Sequence, residues 1–254
     1  MERKVLIKAL VGSHNYNLND ETSDKDYKIF VAPTFDDLYE NKMFSSSKIG
    51  KAEDYDIHDI RKLPELLWKS NINFLEVLYS NELLTQEISI KTTFEETELI
   101  SKTNELLRKI FYMRDEIVTM NLPYLYSACK GMHFNKMSLL DKGTEGTMHL
   151  VEKYGYDTKQ ALQAYRVLDF IIRFAETEFT DFKFAMTYSN YDTTRKFLLD
   201  LKHGKYTKDQ FVEIVNDRFK QFEGYEEIYK SQRIKPEIKE KLTEIIKQIV
   251  KINI

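Results

Sequence analysis

Val5-Leu-Ile-Lys-Ala-Leu-Val-Gly12-Ser13-His-Asn-Tyr16-Asn-Leu18 runs, through Asn19-Asp-Glu-Thr-Ser23, into Asp24-Lys-Asp26-Tyr27-Lys-Ile-Phe-Val31. The first seven residues have the apolar and β-branched content of a short strand, and they stop abruptly on Gly12-Ser13. A polar connector follows, and Asp24-x-Asp26 opens a second apolar segment, Tyr27 to Val31. Side chains alternate along a strand, so Asp24 and Asp26 are expected on one face and Lys25 on the other. Two carboxylates side by side repel each other unless a cation lies between them. Oxygen ligands from one or two carboxylates suit Mg²⁺ (or Mn²⁺), with water and substrate phosphate in the remaining positions.

Gly-Ser, a ten-residue connector and Asp-x-Asp resemble the active-site signature of the DNA polymerase beta-like nucleotidyltransferase superfamily. The longer form, Gly12-Ser13-x-x-Tyr16-x-Leu18 followed by Ser23-Asp24-x-Asp26-Tyr27, resembles the bacterial and phage branch associated with RNA repair. The resemblance implies that Gly12 and Ser13 hold the β- and γ-phosphates of a nucleoside triphosphate. A glycine lets backbone approach phosphate closely, and the serine offers a hydroxyl and an N–H. It further implies that Asp24 and Asp26 hold metal on the α-phosphate. At residue 17 the branch usually has glycine where this chain has asparagine, the residue next most tolerant of left-handed backbone.

Outward from this stretch, Glu53-Asp-Tyr-Asp-Ile-His58 alternates as a third strand. The resemblance puts a third carboxylate on such a strand. Asp54 and Asp56 share a face by the period of two, so geometry leaves both open. Comparison with similar sequences favours Asp54, with Asp56 in reserve, and Asp24, Asp26 and Asp54 form the expected catalytic and metal-binding set. Residues 34–50 read as a loop. From Asp59 the period turns helical through Ile60, Leu63, Leu66 and Leu67, with Pro64 opening or breaking that helix. Asn71-Ile-Asn73-Phe-Leu-Glu76-Val-Leu matches a second signature of the branch. Its expected role is structural, with Asn73 capping a helix and Glu76 reaching back as in a capping box.

Beyond residue 92 the chain reads as almost wholly helical, with apolar spacing over Glu95–Met120 and Pro236–Ile249. The expected fold class is therefore α+β: a small mixed nucleotidyltransferase sheet with flanking helices, then a mainly α-helical C-terminal part. The division is expected as 1–90, catalytic, and 91–254, helical and nucleotide-binding, packed around one cleft. In the helical part Gly155-Tyr-Asp157-Thr-Lys159-Gln-Ala-Leu-Gln163-Ala-Tyr-Arg166 reads as a helix capped by Asp157 or Thr158. At about 100° per residue Lys159, Gln163 and Arg166 share one face, opposite Ala161, Ala164, Leu168, Ile171 and Ala175. This segment resembles the Lys-x-x-x-His-x-x-Arg helix of the same branch, with Gln163 in the histidine's place. Lys159 and Arg166 are accordingly expected to bind the triphosphate. Gly204 reads as a helix C-terminal stop.

Composition narrows the classes further. In 254 residues, 42% hydrophobic and 13% aromatic content marks a folded globular chain. A net charge of −3 from 38 basic and 41 acidic residues does not suggest a protein that coats long nucleic acid, which normally shows a strongly basic face. A nucleotide, a short RNA end or a tRNA remains compatible. The single cysteine, Cys129, excludes an intrachain disulfide framework and fits a reducing cytoplasm. No apolar run approaches the ~20 residues of a membrane span. Cys129 and His133 have helical spacing but lack the further ligands of a zinc site. His14 lies inside the Gly-Ser loop, and His58 shares a strand face with the acids.

The function these readings imply is Mg²⁺-dependent transfer of a nucleoside monophosphate from a triphosphate to an acceptor hydroxyl, with release of pyrophosphate. An RNA 3′ end, a tRNA, a protein hydroxyl and a small molecule are all open as the acceptor, and the near-neutral charge favours a short or structured RNA end. The alternative is a catalytically degenerate protein on the same fold that binds a nucleotide or neutralises a partner.

Overall fold

The structure, a computed structural model, describes residues 3–50, 52–86 and 93–254. The two strands anticipated around Gly12 are β1 (Val5–Val11) and β2 (Lys25–Val31). They pair antiparallel, with Val11 opposite Asp26 and Ala9 opposite Lys28. Between them lies one short helix, α1 (Gly12–Tyr16), closed by Asn17 at φ 62° and ψ 39°. Asparagine thus carries the left-handed turn, as its local side-chain chemistry permits.

Residues 34–50, expected as a loop, instead contain α2 (Phe35–Tyr39) and the strand β3 (Ser45–Ile49). Thr34 and Asp37 cap α2 reciprocally, and Arg3 holds Asp37 at 2.7 Å. Serine-rich β3 carries no apolar alternation because it is an edge strand with mostly exposed side chains. β4 (Glu53–Asp59) pairs antiparallel with β3 and parallel with β2, and β5 (Leu83–Thr85) pairs antiparallel with β1. The mixed sheet has the order β3-β4-β2-β1-β5. Leu6, Ile7, Ala9 and Phe30 are fully buried at its centre.

Two short helices, α3 (Leu63–Trp68) and α4 (Ile72–Leu75), link β4 to β5. Pro64 sits in the first turn of α3, where its missing N–H costs no intrahelical bond. The capping box expected from Asn73 and Glu76 does not form. Asn71 is the cap, accepting the Asn73 N–H at 3.0 Å, and Glu76 begins a 3₁₀ turn that aims its carboxylate elsewhere. The long helix expected over Glu95–Met120 is divided at Met113 into α5 (Phe94–Tyr112) and α6 (Arg114–Val118).

The chain forms two compact units, one of Met1–Asn121 with Ile234–Ile254 and the other of Leu122–Arg233. The boundary expected between residues 90 and 91 lies outside the described residues. The second unit is all helical: α7 (Leu122–Ser138), α8 (Met148–Tyr154), α9 (Thr158–Glu176), α10 (Phe182–Met186), α11 (Thr193–Lys202), α12 (Lys208–Glu223) and α13 (Glu226–Lys230). Its axis is α9, against which α7, α8, α10, α11 and α12 all pack. Asp157 caps α9 through the Gln160 N–H, and Gly204 follows α11 at φ 72°. At that position a β-carbon would meet the Tyr154 ring at 2.2 Å, so only glycine fits.

The chain then returns to the first unit as α14 (Pro236–Asn253). Ile238, Leu242, Ile245, Ile246 and Ile249 are buried there, in an element that packs on α3, α5 and α6. Burying each such side chain stabilises the unit by about 1.5–3 kcal/mol. Lys239 also pairs with Glu65 at 2.6 Å, and Asn253 bonds Thr103 at 2.9 Å. This return explains why the first unit includes residues remote in sequence. The fold is α+β, a mixed five-stranded sheet with flanking helices and a mainly helical C-terminal part. Among the described residues no helix is long and apolar enough to cross a membrane.

Candidate functional site

Three parallel or antiparallel registers converge on one row of the sheet. Val11 pairs with Asp26, Asp26 with Asp54, and Asp54 with Ile49. Directly paired residues share a face, so Asp26 and Asp54 are side-by-side carboxylates on adjacent parallel strands. Asp24 is exposed and stands just before the first residue of β2, where the Lys25 N–H bonds the Ala52 carbonyl at 3.0 Å. Asp54 also accepts the Gly50 N–H at 3.1 Å.

Gly12 is fitted to this row. Its φ is +72°, and a β-carbon built on it would fall 2.4 Å from Asp26 Oδ2. Left-handed backbone favours glycine at this position, and the carboxylate in the place of a β-carbon requires it. The Gly12 N–H is already engaged, donating to Glu76 at 2.9 Å. Ser13 is half-exposed at the first turn of α1. His14 ties α1 back to the connector, with Nε2 3.1 Å from the Ser23 carbonyl oxygen.

One step further along the same face the acids are occupied. Asp56 Oδ2 lies 2.7 Å from Lys28 Nζ and 2.9 Å from His58 Nε2, the latter at an angle poor for a hydrogen bond. His58, and then Lys28, hold the Asp56 carboxyl well below the ordinary carboxylate range, although partial burial pushes it up. His58 Nδ1 meets Ser45 Oγ at 3.1 Å, and Lys28 stands over the Phe74 ring at 4.3 Å. The two acids that periodicity leaves open have different neighbours: Asp54 is in register with Asp26, whereas Asp56 is set against two cationic partners. The opposite face of the sheet carries a different set, with Tyr27 stacked on Tyr55 and Lys8 over Tyr27.

Among the described residues, no three His, Cys, Asp or Glu side chains converge as a ready-made metal cage. The row fits a less enclosed mode of binding. Mg²⁺ is held through one or two carboxylates and keeps positions for water and phosphate, which is what neighbouring Asp26 and Asp54, with Asp24 close in sequence, can supply.

The two helical cations do not share a setting. Lys159 is exposed, but Arg166 is 1% exposed and donates to Gln163 Oε1 at 2.8 Å inside the helical unit. The expectation that both lie off the packed stripe is corrected for Arg166. Helices surround α9 on most sides, so its polar positions are enclosed along with its apolar ones. Asp169 shows the same pattern, bonded to Tyr188 at 2.9 Å and paired with Arg218. Arg173 bonds Asp192 at 3.0 Å and the carbonyls of Phe184 and Thr187 at 2.8 and 2.9 Å. Cys129 is fully buried, which pushes its thiol up to about 12, and His133 bonds the Ala164 carbonyl oxygen at 3.0 Å.

Sequence reasoning passed over the contacts of Glu76. Its motif was visible, but the partner of a carboxylate sixty-four residues away is not written in local spacing. No protein-family model matches the chain, and no curated protein matches it.

Proposed function

We propose that the sheet-containing unit is a Mg²⁺-dependent nucleotidyltransferase, moving a nucleoside monophosphate from a triphosphate to an acceptor hydroxyl with release of pyrophosphate. The observation that carries this reading is the in-register pair Asp26 and Asp54 beside the left-handed Gly12. In this reading Asp24, Asp26 and Asp54 hold the metal. When bound, it supplies charge stabilisation to the attacking and leaving oxygens. Ser13 grips the terminal phosphates through its hydroxyl and N–H. Asp54, the outer member of the row, also receives the proton of the acceptor hydroxyl. Near-neutral overall charge favours a short or structured RNA end over a long polymer as the acceptor. Two carboxylates side by side can hold metal on both the attacking and the leaving oxygen, which favours transfer over nucleotide binding alone.

The test is incubation of the protein with labelled nucleoside triphosphates and Mg²⁺ against total RNA and total protein. Label is expected to enter one fraction. Asp24→Asn combined with Asp26→Asn should lower transfer by several kcal/mol of transition-state stabilisation, about a thousandfold. The urea midpoint of the variant should match the parent. Undiminished transfer by the folded variant would overturn the assignment.

A further inference from the structure

Glu76 is the most thoroughly enclosed carboxylate near the proposed site, at 2% exposure. Oε2 accepts the Gly12 N–H at 2.9 Å and lies 3.5 Å from Asn15 Nδ2, while Oε1 accepts the Tyr16 hydroxyl at 2.6 Å. One side chain thus spans both ends of α1. The same segment braces the loop twice more: Asn81 N donates to Asn15 Oδ1 at 3.0 Å, and Ser80 Oγ donates to the Leu10 carbonyl at 2.8 Å. Gly12 is therefore held between two acids, with Glu76 on its amide and Asp26 Oδ2 against its α-carbon. Five helical residues cannot hold their own shape in water, since helix nucleation is unfavourable and so short a segment recovers little of its cost. The shape must come from outside.

We infer that Glu76 is a positioning residue for phosphate binding. By fixing the Gly12 amide and the Tyr16 hydroxyl together, it sets where Ser13 stands relative to the Asp26–Asp54 row. This role rests on the nucleotide reading above, and it makes a prediction that a purely stabilising carboxylate does not. What matters is the reach of the side chain and not its charge. Glutamine has the same length, and its amide oxygen can accept from Gly12 while its NH₂ donates to the Tyr16 oxygen. Aspartate keeps the charge but is one methylene too short to meet both groups.

The experiment titrates inorganic triphosphate, the part common to all four substrates, into the full chain with Mg²⁺ by calorimetry, alongside amide exchange at Gly12 and Ser13. Glu76→Gln should stay within about threefold of the parent affinity, whereas Glu76→Asp should weaken it roughly tenfold or more, the scale of a lost charged hydrogen bond. Gly12 exchange should quicken in Glu76→Asp alone. Parental affinity or parental exchange in Glu76→Asp would overturn the role, as would an equal loss in Glu76→Gln. Should Glu76→Asp fail to fold, Tyr16→Phe decides: it removes one arm of the brace, and unchanged affinity would overturn the proposal. A parent chain with a protected Gly12 amide that binds no triphosphate would instead remove the nucleotide reading, and the positioning role with it.

Discussion

The acidic row of the sheet unit and the buried charges of the helical unit have opposite surroundings. In the sheet unit, Asp24 is exposed and Asp26 and Asp54 are half-exposed, and the row they form faces like charge. In the helical unit, Asp169 and Arg173 are buried at 1% and 8% exposure and each is set against opposite charge. A buried pair is expensive to desolvate and strongly destabilising to break. Carboxylates set side by side repel each other, and a cation placed between them relieves that repulsion. The contrast sets acids buried against opposite charge beside acids in register with like charge, and it does so with the same residue types.

The largest expected effect is on the helical side. Asp169→Ala strands Arg218 and leaves the Tyr188 hydroxyl without its acceptor, so urea unfolding should show a loss of about 3–5 kcal/mol. A loss under 1 kcal/mol would mean that this network is not the interior tie described here.

A second pair of substitutions sharpens the same line within one helix. Arg166→Met should cost about 2–3 kcal/mol because its guanidinium is enclosed and bonded to Gln163. Lys159→Met, on an exposed position, should change stability by under about 0.5 kcal/mol. Equal effects in urea unfolding would erase the distinction between the two cations.

On the sheet side, Gly12→Ala should cost about 1–2 kcal/mol for the left-handed backbone alone. It should also displace Asp26, and Mg²⁺-triphosphate binding should disappear. An alanine variant that binds as the parent does would mean that the Gly12–Asp26 contact has no functional weight.

The smallest effect concerns Asp56. Its folded carboxyl is held below the ordinary range by His58 and Lys28, so it adds stability above the unfolded carboxylate value of about 4. That stability is lost as pH falls through the lower folded value. The carboxylate is partly exposed, so the contribution is no more than about 1 kcal/mol. The gap in melting temperature between the parent and Asp56→Asn should therefore be steady near neutral pH and close under acid conditions. A gap that widens on acidification would reverse the sign and remove the ion pair as its cause.

Much of the sheet was legible because its signals are local. Gly12, Asn17 and the alternation of Val5–Val11, Asp26–Val31 and Glu53–His58 each state their conformation within a few residues. The different neighbours of Asp54 and Asp56 were not local, since they depend on which residues lie beside them across β2. β3 was missed because an exposed edge strand needs no apolar face. The amphipathic reading of α9 failed for a related reason. Periodicity reports which side of a helix is apolar, but not how many neighbours surround it. Glu76 was assigned to its own helix because the sequence shows the nearest candidate partner and the fold supplied a distant one.

The return of α14 to the first unit also orders events in time. Residues 122–233 are contiguous, so the helical unit has every element it needs once α13 has been synthesised. The sheet unit does not. Its strands are made early, yet the apolar surfaces of α3, α5 and α6 stay uncovered until the chain past residue 234 arrives. At roughly 5–20 residues per second, that interval is several seconds to tens of seconds. The part of the molecule proposed to carry the chemistry thus receives its last described element after the helical unit is whole, although its strands are translated first.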